Sequence, residues 1–446
     1  DTSVLATADG ELDIEQAYAA VRQGVTVEVA GNCGSSAFPG TFSGLAALSR
    51  AHKAVGRANH MVSLVGHGSL RAAVIGHEAR AASEAEIARM AEVLDAALAA
   101  GAVGLSTGLI YTPGTYASTA EVTALARVAA QHRKPYVTHL RDEMSGVEDA
   151  LKEAVAIARD SGAALHVSHH KTAGKYAWGR TETTLATLAE LRESGMDVTC
   201  DVYPYTAGST GLAAMLPPWA HDGGPARLLD RLRDPAQRDL MRTAIRDGVP
   251  GWENTVGNGG WDRISVACAR NHPHYQGRTI AEIAASRGTD ALDLVAELLV
   301  GEDGDVSIIS HSMCEDDVRR VLAAPFAMIG SDGVPKRGLP HPRWAGTFSR
   351  VLGHYSREAG LFGLAEAVRK MTGATAARFG LAGRGVVHDG AHADLVVFDP
   401  ERIADRATFE EPLAAPDGVR LVVVGGAMVV RDGEVLGARP GRVLAC

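Results

Sequence analysis

Residues 134–171 read "KPYVTHLRDEMSGVEDALKEAVAIARDSGAALHVSHHK", and the reading of this stretch decides the fold. A short apolar run closes on His139, a polar loop and an amphipathic stretch follow, and a second short run closes on His169. Strand, crossover helix and strand form the repeating unit of a parallel sheet. In "HVSHHK" the period of two puts Leu165, Val167 and His169 on one face and His166, Ser168 and His170 on the other.

The unit recurs along the chain. Further strand candidates are "VTVEVAG" (25–31), "HMVSLVGH" (60–67), "GAVGLSTG" (101–108), "MDVTCDVYP" (196–204), "DVSIISH" (305–311) and "FAMIGSD" (326–332). Capping boxes at Ser83-x-x-Glu86, Ser118-x-x-Glu121 and Ser312-x-x-Glu315 mark helix starts, the first leading into the stripe Ile87, Met90, Leu94 and Leu98. Polar and ligand-type residues gather at the carboxyl ends of the runs, where a (β/α)₈ barrel keeps its active site. The expected fold is therefore α/β, a TIM-like barrel, with an open doubly wound sheet as the alternative.

Two regions break the rhythm. Residues 214–304 contain "PPWAHDGGPA" and "GNGGWDRISVACARNHPHYQG", too long and irregular for a loop, and predict an inserted subdomain on the active-site side, in position to form a lid. From residue 384 short strands alternate with Gly-Gly and Asp-Gly turns, which predicts a small C-terminal β-domain of sandwich type over 384–446 beside a barrel over 1–383.

Composition narrows the class of function. With 46% hydrophobic and 22% charged residues the chain has the balance of a globular protein, and no apolar run reaches the length of a membrane span. A net charge of −9 without basic clusters removes a nucleic-acid footprint, so the expected partner is a small molecule. Five dispersed cysteines form neither a disulfide framework nor a zinc knuckle, as expected for reduced thiols of the cytoplasm. The first residue is Asp1 rather than Met, so the native start is not in view.

Four strand ends carry groups able to hold a metal or move a proton: Cys33, His139, His169 and Asp332. Zinc takes thiolate, imidazole and carboxylate ligands, and a catalytic site leaves one position open. Taken singly, Cys33 reads as a small buried hydrophobe and each histidine as a structural residue. Together they point at one barrel axis, which independent structural causes would not produce. His169 is the expected ligand of its run, with His170 structural. His67 and His311, also at run ends, are candidates for tuning the site by hydrogen bonds.

The motifs "GVTVEVAGNCG", "GLSTGLIYTPGTYAS", "YVTHLRDE", "HVSHHKTAGK", "DVYPYTAGST", "ISHSMCEDDV", "IGSDG" with "HPRWAGTFSRVLGHY", and "GAHADLVVFDP" resemble those of the D-aminoacylase group, the N-acyl-D-amino-acid deacylases of the amidohydrolase superfamily. That resemblance implies a zinc-bearing barrel with a small β-domain. It also implies that Cys33 is the metal ligand standing where many relatives carry a carboxylated lysine. His139 and His169 match the imidazole ligands of the tighter zinc site, and Asp332 the catalytic carboxylate. Arg343 and Lys171, with Tyr203 or Tyr205, fall in motifs similar to those that grip the substrate's α-carboxylate. The implied reaction is hydrolysis of an N-acyl-D-amino acid.

Members of the group open their first strand with an HxH pair followed closely by Asp, and this sequence opens at Asp1, the residue matching that Asp. The pair, the first strand and the N-terminal share of the β-domain are expected ahead of it, in a sequence that is a fragment or has a misassigned start. A second, weaker zinc site would need that pair; His272 and His274, inside the insertion, do not replace it. Two other readings stand beside deacylation. One is cyclic-amide hydrolysis like that of dihydroorotases and hydantoinases, which Cys33 argues against. The other is a non-catalytic barrel that binds metal or metabolite.

Overall fold

The computed structural model describes residues 14–446; Asp1, matched above to the residue after the HxH pair, lies outside them. The strand–helix units build a six-stranded parallel sheet: β3 (Val65–Gly66), β4 (Leu105–Gly108), β5 (Tyr136–His139), β6 (Leu165–Val167), β7 (Val198–Val202) and β11 (Ala327–Ile329) lie in that order. Two more strands extend it: β1 (Val27–Ala30) pairs in parallel with β2 (His60–Ser63), which runs on through Leu64 into β3. Strand neighbours thus follow chain order from β1 to β7, the arrangement of a TIM-like barrel wall. Among the described residues no ladder joins β11 back to β1.

The strands are buried on both faces and read as continuous apolar runs for that reason. Helices Glu84–Ala99, Thr119–Gln131 and Val147–Ser161 supply Leu94, Leu125 and Ile157 to a core shared with Leu105, Tyr136 and Leu165. Ser83 accepts from the Glu86 N–H in a complete capping box, and Ser118 accepts from the Glu121 N–H. The box expected at Ser312 is absent, because the helix Glu315–Ala323 starts from Cys314 and the Ser312 carbonyl instead receives Gly174 N–H and Trp178 Nε1–H.

The inserted region is wider than 214–304, running from Gly208 to Ser310, and has its own architecture. Strands β8 (Gly208–Gly211), β9 (Ile264–Cys268) and β10 (Ser307–Ser310) form an antiparallel sheet in the order β8-β10-β9. The run 305–311, expected among the parallel strands, is therefore the middle strand of the insertion: a short apolar run carries no information about pairing direction. Helices Pro225–Arg233 and Ala291–Gly301 cover this sheet around Leu228, Leu294, Leu298 and Ile308.

The C-terminal region is a four-stranded antiparallel sheet of β12 (Leu395–Phe398), β13 (Val419–Val424), β14 (Ala427–Arg431) and β15 (Glu434–Val435). Its two tight hairpins turn at Gly425-Gly426 and Asp432-Gly433, all four residues with positive φ, as two-residue hairpins require. Among the described residues no helix is long and apolar enough to cross a membrane.

Candidate metal centre

The carboxyl ends of β1, β5, β6 and β11 deliver Cys33, His139, His169 and Asp332. Cys33 (φ 53°), His169 (φ 36°) and Asp332 (φ 47°) all hold left-handed backbone conformations although none is glycine. Such conformations cost on the order of 1–3 kcal/mol each and gather where the surroundings enforce them. For His169 the enforcer is Asp201 on β7, whose Oδ1 accepts the His169 N–H at 2.6 Å while Oδ2 binds His166 Nε2 at 2.9 Å. For Cys33 it is the crossing of two chains, since a Cβ on Gly108 would stand 2.2 Å from the Cys33 carbonyl oxygen.

These turns bring three donor atoms together. Cys33 Sγ lies 3.2 Å from His169 Nε2. The His139 and His169 rings meet edge to face with centroids 4.4 Å apart. One donor atom from each of Cys33, His139 and His169 lies within 4.8 Å of the other two. Both nitrogens of His139 are buried without a hydrogen-bond partner among the described residues, an arrangement that a native interior avoids unless something else satisfies them. Burial drives the His139 ring well below its ordinary pKa, so it is neutral and holds a lone pair. A thiol, a neutral imidazole and a second imidazole on three strands fit a zinc ion by donor chemistry and by reach.

The remaining expected residues divide. Asp332 lines the same cavity, of about 750 Å³, as Cys33 and His169. Its Oδ2 is 2.9 Å from Arg343 Nη1. Arg343, 3% exposed, also donates from Nη2 to the Ser209 carbonyl at 3.2 Å and stacks 4.6 Å from the Tyr203 ring centre. Lys171 approaches the same ring at 5.7 Å. Tyr203 thus lies between the two cations, whereas Tyr205 packs against Arg350 and His341. His67 is turned away into a buried cluster: its Nε2 meets Glu121 Oε1 at 2.8 Å, and Arg71 binds the other carboxylate oxygen. His311 ends the insertion strand β10, bonds Ser265 Oγ at 3.0 Å and packs on Phe409. Each of these two histidines bonds a partner of its own, Glu121 for His67 and Ser265 for His311, rather than Cys33, His139 or His169.

The Amidohydro_3 model of the amidohydrolase family matches residues 3–430. This chain belongs to that family. It is 39% identical to the D-aminoacylase of Alcaligenes xylosoxydans xylosoxydans over 95% of its own length and 82% of the relative's. With the N-acyl-D-glutamate deacylase of the same organism it shares 36% identity, over 95% of this chain and 80% of that one. A solved structure of N-acyl-D-glutamate deacylase from Bordetella bronchiseptica, complexed with zinc and a phosphonate inhibitor mimicking the tetrahedral intermediate, superposes with a TM-score of 0.81. That match has 38% identity and covers 98% of this chain and 85% of the other.

Two groups in this amidohydrolase's site escape a reading by strand ends. Tyr111, in the loop after β4, stands edge-on to His139 with centroids 5.1 Å apart, its hydroxyl 3.4 Å from Thr210 Oγ1 of the insertion. Burial, then the neighbouring Cys33, pushes that hydroxyl well above its ordinary pKa and keeps it protonated as a donor. Glu143, four residues past His139, is 4% exposed and reaches Lys171 Nζ at 2.6 Å. Burial alone would raise its carboxyl, but the neighbouring His139, Lys171 and His169 outweigh that and hold it below the usual range. The signal for Glu143 was its spacing of four from a ligand-type histidine inside "YVTHLRDE".

Proposed function

We propose that this amidohydrolase cleaves the amide bond of N-acyl-D-amino acids, releasing a carboxylate and the free D-amino acid, with zinc held by Cys33, His139 and His169. The observation that carries this reading is the convergence of those three donors, two of which, Cys33 and His169, line one cavity with the Asp332–Arg343 pair. The relatives named D-aminoacylase and N-acyl-D-glutamate deacylase support the linear amide and the D configuration. One tight zinc site is assigned, on three residues of the described chain.

Zinc in this donor set supplies Lewis acidity, acidifying water and polarising the acyl carbonyl. Asp332 takes the proton of the attacking water and returns it to the departing amine nitrogen, acting as base and then as acid. Arg343 offers a planar fork to the substrate's α-carboxylate, and that carboxylate then shares the guanidinium now paired with Asp332 at 2.9 Å. The ring of Tyr203 braces Arg343 from beneath at 4.6 Å. Lys171 adds a point charge to the same corner. Tyr111 offers its protonated hydroxyl to the rim. The insertion shapes the side-chain pocket through Ser209, Thr210, Asp305 and Ser307, which line the cavity. The dispersed free thiols support a cytoplasmic protein.

Ninhydrin-detected hydrolysis of N-acetyl-D-methionine, N-acetyl-L-methionine, a hydantoin and dihydroorotate tests the proposal. Release from the D-amide, with little from the L-amide and no ring opening, is the expected pattern. Ring opening without linear deacylation would replace it with a cyclic-amide hydrolase.

A further inference from the structure

One buried anion touches three basic groups of the centre, His139, His169 and Lys171. Glu143 Oε1 lies 3.1 Å from His169 Nδ1. Its Oε2 lies 3.4 Å from His139 Nε2 and 2.6 Å from Lys171 Nζ. The Glu143 backbone is itself anchored, its N–H donating to Glu253 Oε2 of the insertion at 2.6 Å. The face of His169 opposite this carboxylate is the one that carries Nε2, at 3.2 Å from Cys33 Sγ.

A neutral imidazole has one N–H and one lone pair, and only the lone pair can bind a metal. We propose that Glu143 is a positioning residue that sets the tautomer of both imidazole ligands. It draws the His169 proton to Nδ1 and the His139 proton to Nε2. His169 Nε2 and His139 Nδ1 are then the lone pairs left for the metal. This inference rests on the reading of Cys33, His139 and His169 as metal ligands and adds the residue that orients two of them.

Lys171 is the competitor that makes such a residue necessary. Its Nζ is 2.7 Å from His169 Nδ1 and 3.0 Å from the His169 carbonyl oxygen. An ammonium can only donate. Left alone, it would hold Nδ1 unprotonated, put the ring proton on Nε2 and aim that proton at Cys33. Glu143 reverses this preference by taking the ammonium on Oε2 and offering Oε1 to the ring. At 3.4 Å the Glu143 carboxylate faces His139 Nε2 without an aligned hydrogen bond, so Nε2 still lacks a formal partner. A carboxylate has an acceptor for each ring. The amide of glutamine has one acceptor and must present N–H to the second ring.

Cobalt(II) titration of the metal-stripped full chain, followed by its visible and near-ultraviolet absorption, tests the assignment without reference to turnover. The wild-type protein should show a thiolate-to-cobalt band. Glu143→Gln should bind 10- to 100-fold more weakly, the loss typical when a residue orienting a metal-bound histidine is removed, and keep the band at saturation. Glu143→Asp should recover part of the loss. Glu143→Gln combined with Lys171→Met removes the competing ammonium along with the carboxylate, leaves no stranded charge in the fold, and should bind more tightly than the single variant. Wild-type affinity in Glu143→Gln would overturn the positioning role while leaving the ligand set intact, and a double variant no tighter than the single one would overturn the competition with Lys171. Cobalt binding by the wild type without a thiolate band would overturn the ligand reading itself, and this inference with it.

Discussion

Cys33, His169 and Asp332 share a left-handed backbone state that side chains other than glycine rarely adopt, and each follows a strand by a residue or more. A strand that simply continued would point alternate side chains to opposite faces; the turn swings each functional atom over the strand ends instead. Asp332→Asn keeps the shape and removes the base, so zinc content should stay unchanged while kcat falls on the order of 10²–10⁴-fold. Steady-state kinetics with metal analysis checks this, and unaltered turnover would remove Asp332 from proton transfer. Arg343→Ala should act chiefly on KM, raising it at least tenfold for a carboxylate-bearing substrate; an unchanged KM would contradict the α-carboxylate role. At this scale Cys33, His139, His169 and Asp332 are legible because ligand-type residues at strand ends are rare company for one another. Glu143 and Tyr111 are not, since both sit in loops whose course depends on partners distant in sequence, Lys171 and Thr210 among them.

The insertion shows what a single element contributes to the site and where pattern reading stops. Its middle strand β10 is as apolar as β5 or β6, and only the antiparallel ladders to β8 and β9 reveal which sheet it joins. His311 was read as a site residue for the same reason, and the pairing carries it to Ser265 instead. His67 likewise ends its run, yet it and Arg71 both pair with the buried Glu121 carboxylate rather than with Cys33. Glu253 ties the insertion to the loop of Glu143. Burial, then the Glu143 carboxylate, pushes its carboxyl from 4.5 up to about 8. The folded value exceeds the unfolded one, so the stability linked to this proton is fully present below about pH 4.5 and is lost as pH rises through about 8. Glu253→Gln should therefore lose less stability than the wild type between pH 5 and pH 9, measured as the change in urea midpoint. Equal changes in the two proteins would show that Glu253 is ionised in the fold.

Over the whole molecule, the parallel strands bring Cys33, His169 and Asp332 to one cavity, with His139 against His169 beside it. The parallel wall, the irregular insertion and the Gly-Gly and Asp-Gly hairpins of the C-terminal sheet are legible because periodicity and turn chemistry are local. Closure of the barrel is not, because it depends on pairing between strands far apart in sequence. The central claim is that three strand ends form a metal centre. Zinc content by elemental analysis, compared between the wild-type chain and Cys33→Ala, tests it most directly. The account predicts about one zinc per wild-type chain and a loss of most of it in Cys33→Ala. Equal zinc in both proteins, or none in either after reconstitution, would mean that Cys33 is a buried thiol and that the cluster is structural.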